Sequence, residues 1–250
     1  MKSLWREAIL KFRVPGSMEP GICVASLCHN EISILPLYYR FVKQFADTWI
    51  ILDDGSTDGS VEYIKRLQDL REIDIMLVSR PAFHVAKHRV YWANWNYAFK
   101  LCDREWTLLG YLDEIAYPNP AEYFNRMMKE HVVWKIGREE IVSLNPLKSL
   151  GPEGLFVRFF PTGSTFFESK VDSVHAEHPI TNLPIKEAPF RFFHIGRCRE
   201  IKHIQEKERA YEACGPSALT SHYDQSRRLV DIKNAHLIPD NGFTNWLLGG

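Results

Sequence analysis

The apolar run Thr48-Trp49-Ile50-Ile51-Leu52 breaks directly into Asp53-Asp54-Gly55-Ser56-Thr57-Asp58-Gly59. A short buried strand thus reaches the surface as a turn loaded with carboxylates and hydroxyls, and a helical pattern follows. That order of events constrains the chain more than any other feature. In open α/β sheets, ligands bind beyond the carboxyl ends of the strands. The same residues also suit a turn that caps the following helix.

The rest of the N-terminal half repeats the alternation. Ile22 to Leu27 reads as a buried strand, and Glu31 to Phe45 as a helix with Ile34, Leu37, Tyr38, Phe41, Val42 and Phe45 on one stripe. Ser60 to Arg71 is a second helix, Asp74 to Ser79 a third strand, Val90 to Cys102 an aromatic-rich helix, and Trp106 to Leu112 a fourth strand ending at Asp113-Glu114. Strands alternating with helices predict a mostly parallel sheet with right-handed crossovers. After Pro118 the pattern changes. Ala121 to Val133 and Arg199 to Cys214 suit helices. Ile141 to Leu144, Leu155 to Phe160 and Phe190 to His194 suit strands. The tail, 217–250, has no clear period.

A chain of 250 residues can bury a sizeable core. With 31 basic and 31 acidic residues, bulk attraction to nucleic acid is unsupported. The aromatic residues Tyr91, Trp92, Trp95 and Tyr97 fall at helical spacing and read as core, not as a base-stacking platform. The five cysteines form no C-x-x-C pair, so free thiols in a reducing, cytoplasmic compartment are the simplest reading. No apolar run approaches the roughly 20 residues needed to span a bilayer. Residues 1–14 mix apolar and basic residues and suit an amphipathic helix, docked on its own domain or lying on the inner face of a membrane. Phosphate-loop, dinucleotide, nucleophile-elbow and zinc signatures are absent.

Two acidic stretches carry a resemblance. The loop Ser26-Leu27-Cys28-His29-Asn30-Glu31, the run Asp53 to Asp58, and Trp106 to Glu114 together resemble family 2-type glycosyltransferases with the GT-A fold. Arg158-Phe159-Phe160 and Val174-His175-Ala176-Glu177 are similar to stretches of bacterial members that build lipopolysaccharide cores and surface glycans. The resemblance implies a single GT-A domain, Rossmann-like, with a mostly parallel twisted sheet flanked by helices, a smaller acceptor-side sheet and a helical C-terminal part. Residues 20–118 would form the nucleotide half, and 119–250 the acceptor half and tail. It implies transfer of a sugar from a nucleotide-diphosphate donor, UDP-sugar favoured, to a glycan or lipid-linked acceptor with inversion. A non-catalytic module binding a nucleotide-sugar or glycan is the alternative.

Residue roles follow from the same resemblance. Asn30, Glu31, Asp53, Asp54 and Arg89 would hold the nucleoside and its phosphates. Asp113, Glu114 and His194 would hold Mn²⁺ or Mg²⁺, while His194, Arg197, Arg199 and Lys202 would meet the diphosphate. Glu177 would be the general base, with Asp172 and His175 behind it. An inserted Ala176 blurs which of these takes the role. Tyr111 stands where the first Asp of the metal motif belongs, and its phenol, with a pKa near ~10, is a poor ligand for a hard cation. Metal through Asp113 and a remote His, a weak or dispensable metal, and lost catalysis all remain open.

Overall fold

The computed structural model describes residues 18–79, 91–169, 177–202, 204–205, 232–240 and 242–248. In chain order its elements are β1 (Glu19–Cys28), α1 (Leu35–Val42), β2 (Thr48–Asp53), α2 (Ser60–Leu70), β3 (Asp74–Ser79), α3 (Tyr91–Leu101), β4 (Arg104–Leu109), β5 (Glu114–Ile115) and α4 (Pro120–Met127). There follow β6 (Val133–Leu144), β7 (Leu147–Pro161), β8 (Thr165–Ser169), β9 (Glu177–Thr181), β10 (Ile185–His194), β11 (His236–Leu237) and α5 (Phe243–Leu248).

The main sheet runs β3-β2-β1-β4-β7-β6-β10-β5, with β11 on β7, and β8 pairs with β9 as a separate two-stranded sheet. The strands β3, β2, β1 and β4 are parallel. Antiparallel β7 then closes on β4, and β6, β10 and β5 follow as a mixed half. This α/β arrangement, a large sheet flanked by helices with a small second sheet, is the expected class and is consistent with a GT-A-like fold.

Alternation along the strands explains the layers. Val24, Trp49, Ile51 and Leu108 point to one face, where α1, α2 and α4 bring Tyr38, Phe41, Ile64 and Phe124. Cys23, Ala25, Ile50, Leu52 and Leu109 point to the other, where α3 supplies Trp95, Ala98 and Phe99. Because both faces are covered, β2 is buried along its whole length. Register then places Cys28 beside Asp53 at the shared carboxyl ends of β1 and β2.

The hairpin β8-β9 shares no strand pairing with the main sheet. Its tie to α3 is the Asn96 amide, which donates to the Phe167 carbonyl at 2.7 Å and accepts from the Phe167 N–H at 2.9 Å. One side chain thereby acts as a piece of neighbouring strand.

Several boundaries differ from the sequence pattern. The helix expected to reach Val133 stops at Met127, and Val133 opens β6. The strands expected at 141–144 and 155–160 are only the ends of the long pair β6 and β7. Their charged and Gly/Pro-rich halves carried no apolar pattern because Arg138, Glu139 and Glu140 face partners within the sheet, and register shifts leave Leu150 and Gly154 of β7 unpaired. The helix over 31–45 is shortened to α1. The tail contains β11 and α5, while most of the helix expected at 199–214 and all of 1–14 lie outside the described residues.

Gly110 ends β4 and leads into the acidic motif. A Cβ there would lie 2.1 Å from the Tyr38 hydroxyl and 2.8 Å from Val24 Cγ1. Gly110→Ala should therefore cost about 2 kcal/mol of unfolding free energy in urea titrations. Adding Tyr38→Phe, which removes the nearest atom, should recover part of that loss. Wild-type stability for Gly110→Ala alone would contradict the close packing.

Candidate functional site

The loops after β1 and β2 are laced together. Asp53 is buried, and its carboxylate accepts from the backbone N–H groups of Gly55 at 3.0 Å and Ser56 at 3.2 Å. Gly55 sits at φ +79°, the left-handed region this turn requires. Asn30, itself at φ +55°, accepts from the Thr57 N–H at 2.8 Å and donates its own N–H to Ser56 Oγ at 2.9 Å. Asp58 takes the N–H groups of Ile32 and Ser60 and the Ser60 hydroxyl at 2.6 Å. Burial would raise the Asp58 pKa, but these hydrogen bonds outweigh it and hold the carboxyl below its usual range. Asp53 and Asn30 thus build the turn. Asp54 is half-buried at its rim, with its N–H on Cys28 and its carbonyl against the His29 ring at 3.0 Å.

The loop also reaches across the molecule. Glu31 pairs with Arg199, just beyond β10, and both side chains are largely buried. The loop after β1 and the segment after β10 meet there.

Beyond β4 the acidic motif is built around an arginine. Arg158, on β7 and 2% exposed, donates through Nε and Nη2 to the two Glu114 oxygens at 3.1 and 3.2 Å. Its guanidinium lies 4.5 Å from the Tyr111 ring centre and 4.9 Å from that of Phe156. Arg138 adds a second cation, 3.3 Å from Glu114, and also pairs with Glu153. Tyr111 therefore contributes a ring face to the arginine and an edge-on contact to Trp95.

Asp113 and His194 lie beside this clamp. The strand pairing sets His194 opposite Glu114 on one side and Glu140 on the other. His194 Nε2 is 3.5 Å from Asp113, Nδ1 is 2.6 Å from Glu140, and Glu140 in turn is 3.0 Å from Arg197 Nε. Burial alone would lower the His194 pKa, but the Asp113 carboxylate, then Glu140, outweighs it and lifts the imidazole to about 9.

Glu140, Glu153 and His194 form a cluster whose ligand atoms all lie within 4.8 Å of one another, a spacing open to a cation. The charges are already matched, however. Glu140 faces Arg197 and His194, Glu153 faces Arg138, and Glu114 faces two arginines. Hard divalent cations bind through oxygen ligands, and each of these carboxylates already faces a cationic side chain. Within the expected set Asp113, Glu114 and His194, Glu114 is paired with two guanidiniums, and Tyr111 presents its ring to Arg158.

No family model matches the chain, and no curated protein matches it by sequence. Among solved structures, it is similar to TarS of S. aureus. The fragment 1–349 aligns at TM-score 0.48 and 9% identity, over 83% of this chain and 68% of that one. A longer TarS structure gives 0.48 and 11%, over 83% and 41%. The 1–349 fragment in complex with UDP gives 0.47 and 10%, over 83% and 68%.

The remaining expected residues are placed unevenly. Arg197 is partly exposed next to Glu140, and Lys202 is exposed on a short helical turn. Glu177 opens β9, its backbone opposite Ser169. Arg89, Asp172 and His175 lie outside the described residues. Sequence reading assigned no role to Arg138, Glu140 or Glu153. The signal for the first two was the charged run Arg138-Glu139-Glu140 inside what proved to be a long strand, and Glu153 stood alone between glycines and a proline.

Two outcomes follow from the clamp and the imidazole. Arg158→Met leaves a buried carboxylate short of its main partner and should cost about 3–5 kcal/mol, with Glu114→Leu in the same chain restoring much of it. Equal losses in single and double variants would contradict the pairing. Since His194 is raised above its unfolded value, the stability it contributes is complete below pH ~6.5 and lost as pH climbs through about 9. Urea midpoints followed from neutral to alkaline pH should show this decline, and His194→Gln should flatten it. An unchanged slope would place the titration elsewhere.

Proposed function

We propose that the chain transfers a sugar from a nucleotide-diphosphate donor, a UDP-sugar by preference, to a glycan or lipid-linked acceptor. It would act as a single-domain enzyme of the family 2, surface-glycan type, with residues 20–118 binding the donor and 119–250 shaping the acceptor side. The observation that carries this reading is the Glu31–Arg199 pair. It joins the loops at the carboxyl ends of β1 and β2 to the segment after β10, where His194 already meets Asp113. A ligand in the crevice at these strand ends would touch both halves.

In this scheme Asp54, at the rim, accepts from the base or ribose. Asp53 and Asn30 support it by holding the turn. Arg197 and Lys202 face the diphosphate, and Asp113 with His194 fixes the floor beneath it. Glu177 takes the proton from the acceptor hydroxyl as that oxygen attacks the anomeric carbon. The bond from that carbon to the diphosphate oxygen breaks on the opposite side, and the nucleoside diphosphate leaves with its electron pair. Direct displacement inverts the anomeric centre. Among the described residues no helix is long and apolar enough to cross a membrane. Contact with a lipid-linked acceptor would be made through residues 1–14, whose mix of apolar and basic side chains suits a peripheral helix.

The second reading, a binding module without catalysis, is favoured by one observation: the Tyr111 ring lies against Arg158 where the family places a carboxylate.

Calorimetry with UDP, GDP and dTDP tests the donor site. Asp54→Ala should weaken UDP binding about tenfold, or ~1.4 kcal/mol, with the fold intact. Binding of no nucleotide would remove the proposal. Glu177→Gln should abolish transfer and spare donor affinity. Slow donor hydrolysis or transfer by the wild type separates the enzyme from the binding module.

A further inference from the structure

The charge arrangement around Glu114 and Glu140 carries one step more. We propose that the acidic site is electrically closed to a divalent cation, so that nucleotide-diphosphate binding is metal-independent and Arg197 supplies the positive charge. This rests on the donor reading above.

Four carboxylates converge on the floor of the site: Asp113, Glu114, Glu140 and Glu153. Three guanidiniums interleave with them. Arg158 spans Glu114 with two hydrogen bonds, Arg138 bridges Glu114 and Glu153, and Arg197 lies against Glu140. The imidazole of His194 fills the gap between the two carboxylates left adjoining it, Asp113 and Glu140. Guanidinium is charged at every relevant pH.

Geometry closes the site as firmly as charge. Glu114 and Arg158 are each about 2% exposed, and the guanidinium is held between the rings of Tyr111 and Phe156. To ligate a cation, Glu114 would have to leave a buried arginine unpaired, a loss far larger than a surface pair would exact. Glu140 could ligate one only by giving up both Arg197 and His194. The tyrosine at position 111 is part of the same device. A carboxylate there would replace the ring that covers Arg158.

Arg197 differs from the two buried arginines. A third of its side chain is exposed, it sits in the turn directly after β10, and its neighbours Arg199 and Lys202 extend the basic edge toward the Glu31 loop. Guanidinium donors match phosphate oxygens in bidentate geometry.

The test uses the full chain and two probes. UDP is titrated by calorimetry in EDTA and again in Mn²⁺, and Mn²⁺ alone is titrated by electron paramagnetic resonance. Expected are UDP affinities equal to within about twofold in the two buffers, a loss of about tenfold or more in Arg197→Gln in both, and no saturable Mn²⁺ site. A tenfold weaker affinity in EDTA would overturn the proposal. So would a saturable Mn²⁺ site that Glu140→Gln removes. If UDP binds in neither buffer, the donor reading falls, while the Mn²⁺ titration still decides whether the acidic site is closed.

Discussion

The buried pair between Arg158 and Glu114 is the constraint around which the second half of the sheet is organised. Placing a carboxylate and a guanidinium out of water is costly, and the attraction between them repays that cost only when geometry and hydrogen bonding are good. Here both Glu114 oxygens are engaged, and aromatic rings cover the guanidinium. The pair links the two-residue strand β5 to β7, three places apart in the sheet order. With β5 held, the residue before it, Asp113, is delivered to His194.

From this clamp a row of alternating charge runs across neighbouring strands: Glu114, His194, Glu140, Arg197, then Arg138 and Glu153. An acidic motif that looks in isolation like a cation trap is, in its setting, a balanced lattice. The difference lies entirely in residues contributed by β6, β7 and β10. Local sequence around Asp113 and Glu114 cannot reveal it, because the compensating charges lie between 24 and 81 positions away.

That distance explains what was legible in the chain and what was not. The parallel half announced itself, since strands buried on both faces become continuous apolar runs such as Trp49 to Leu52, and the acidic turn fell at the carboxyl end of β2 as its spacing required. The position of His194 at the end of a late strand was also readable. The long hairpin of β6 and β7 was not. Several of its charged positions, Arg138, Glu140 and Glu153 among them, pair with residues of other strands, and Gly151, Pro152 and Gly154 sit within a strand that bulges around them. Hydrophobic periodicity has no way to register a strand stabilised in that manner. The double use of Asp53 was half visible. A carboxylate opening a glycine turn can read a ligand or fold the backbone, and here its two oxygens are turned to Gly55 and Ser56.

The Asn96 amide carries a consequence of its own. A two-stranded hairpin is marginal in isolation, and this one borrows its stability from a helix through a pair of complementary hydrogen bonds to Phe167. The Phe167 ring also packs against Phe99 of α3 and Phe160 of β7, so hydrogen bonds and ring contacts act together at this junction. A change at Asn96 would thus loosen the hairpin without touching the strand pairing of the parallel scaffold.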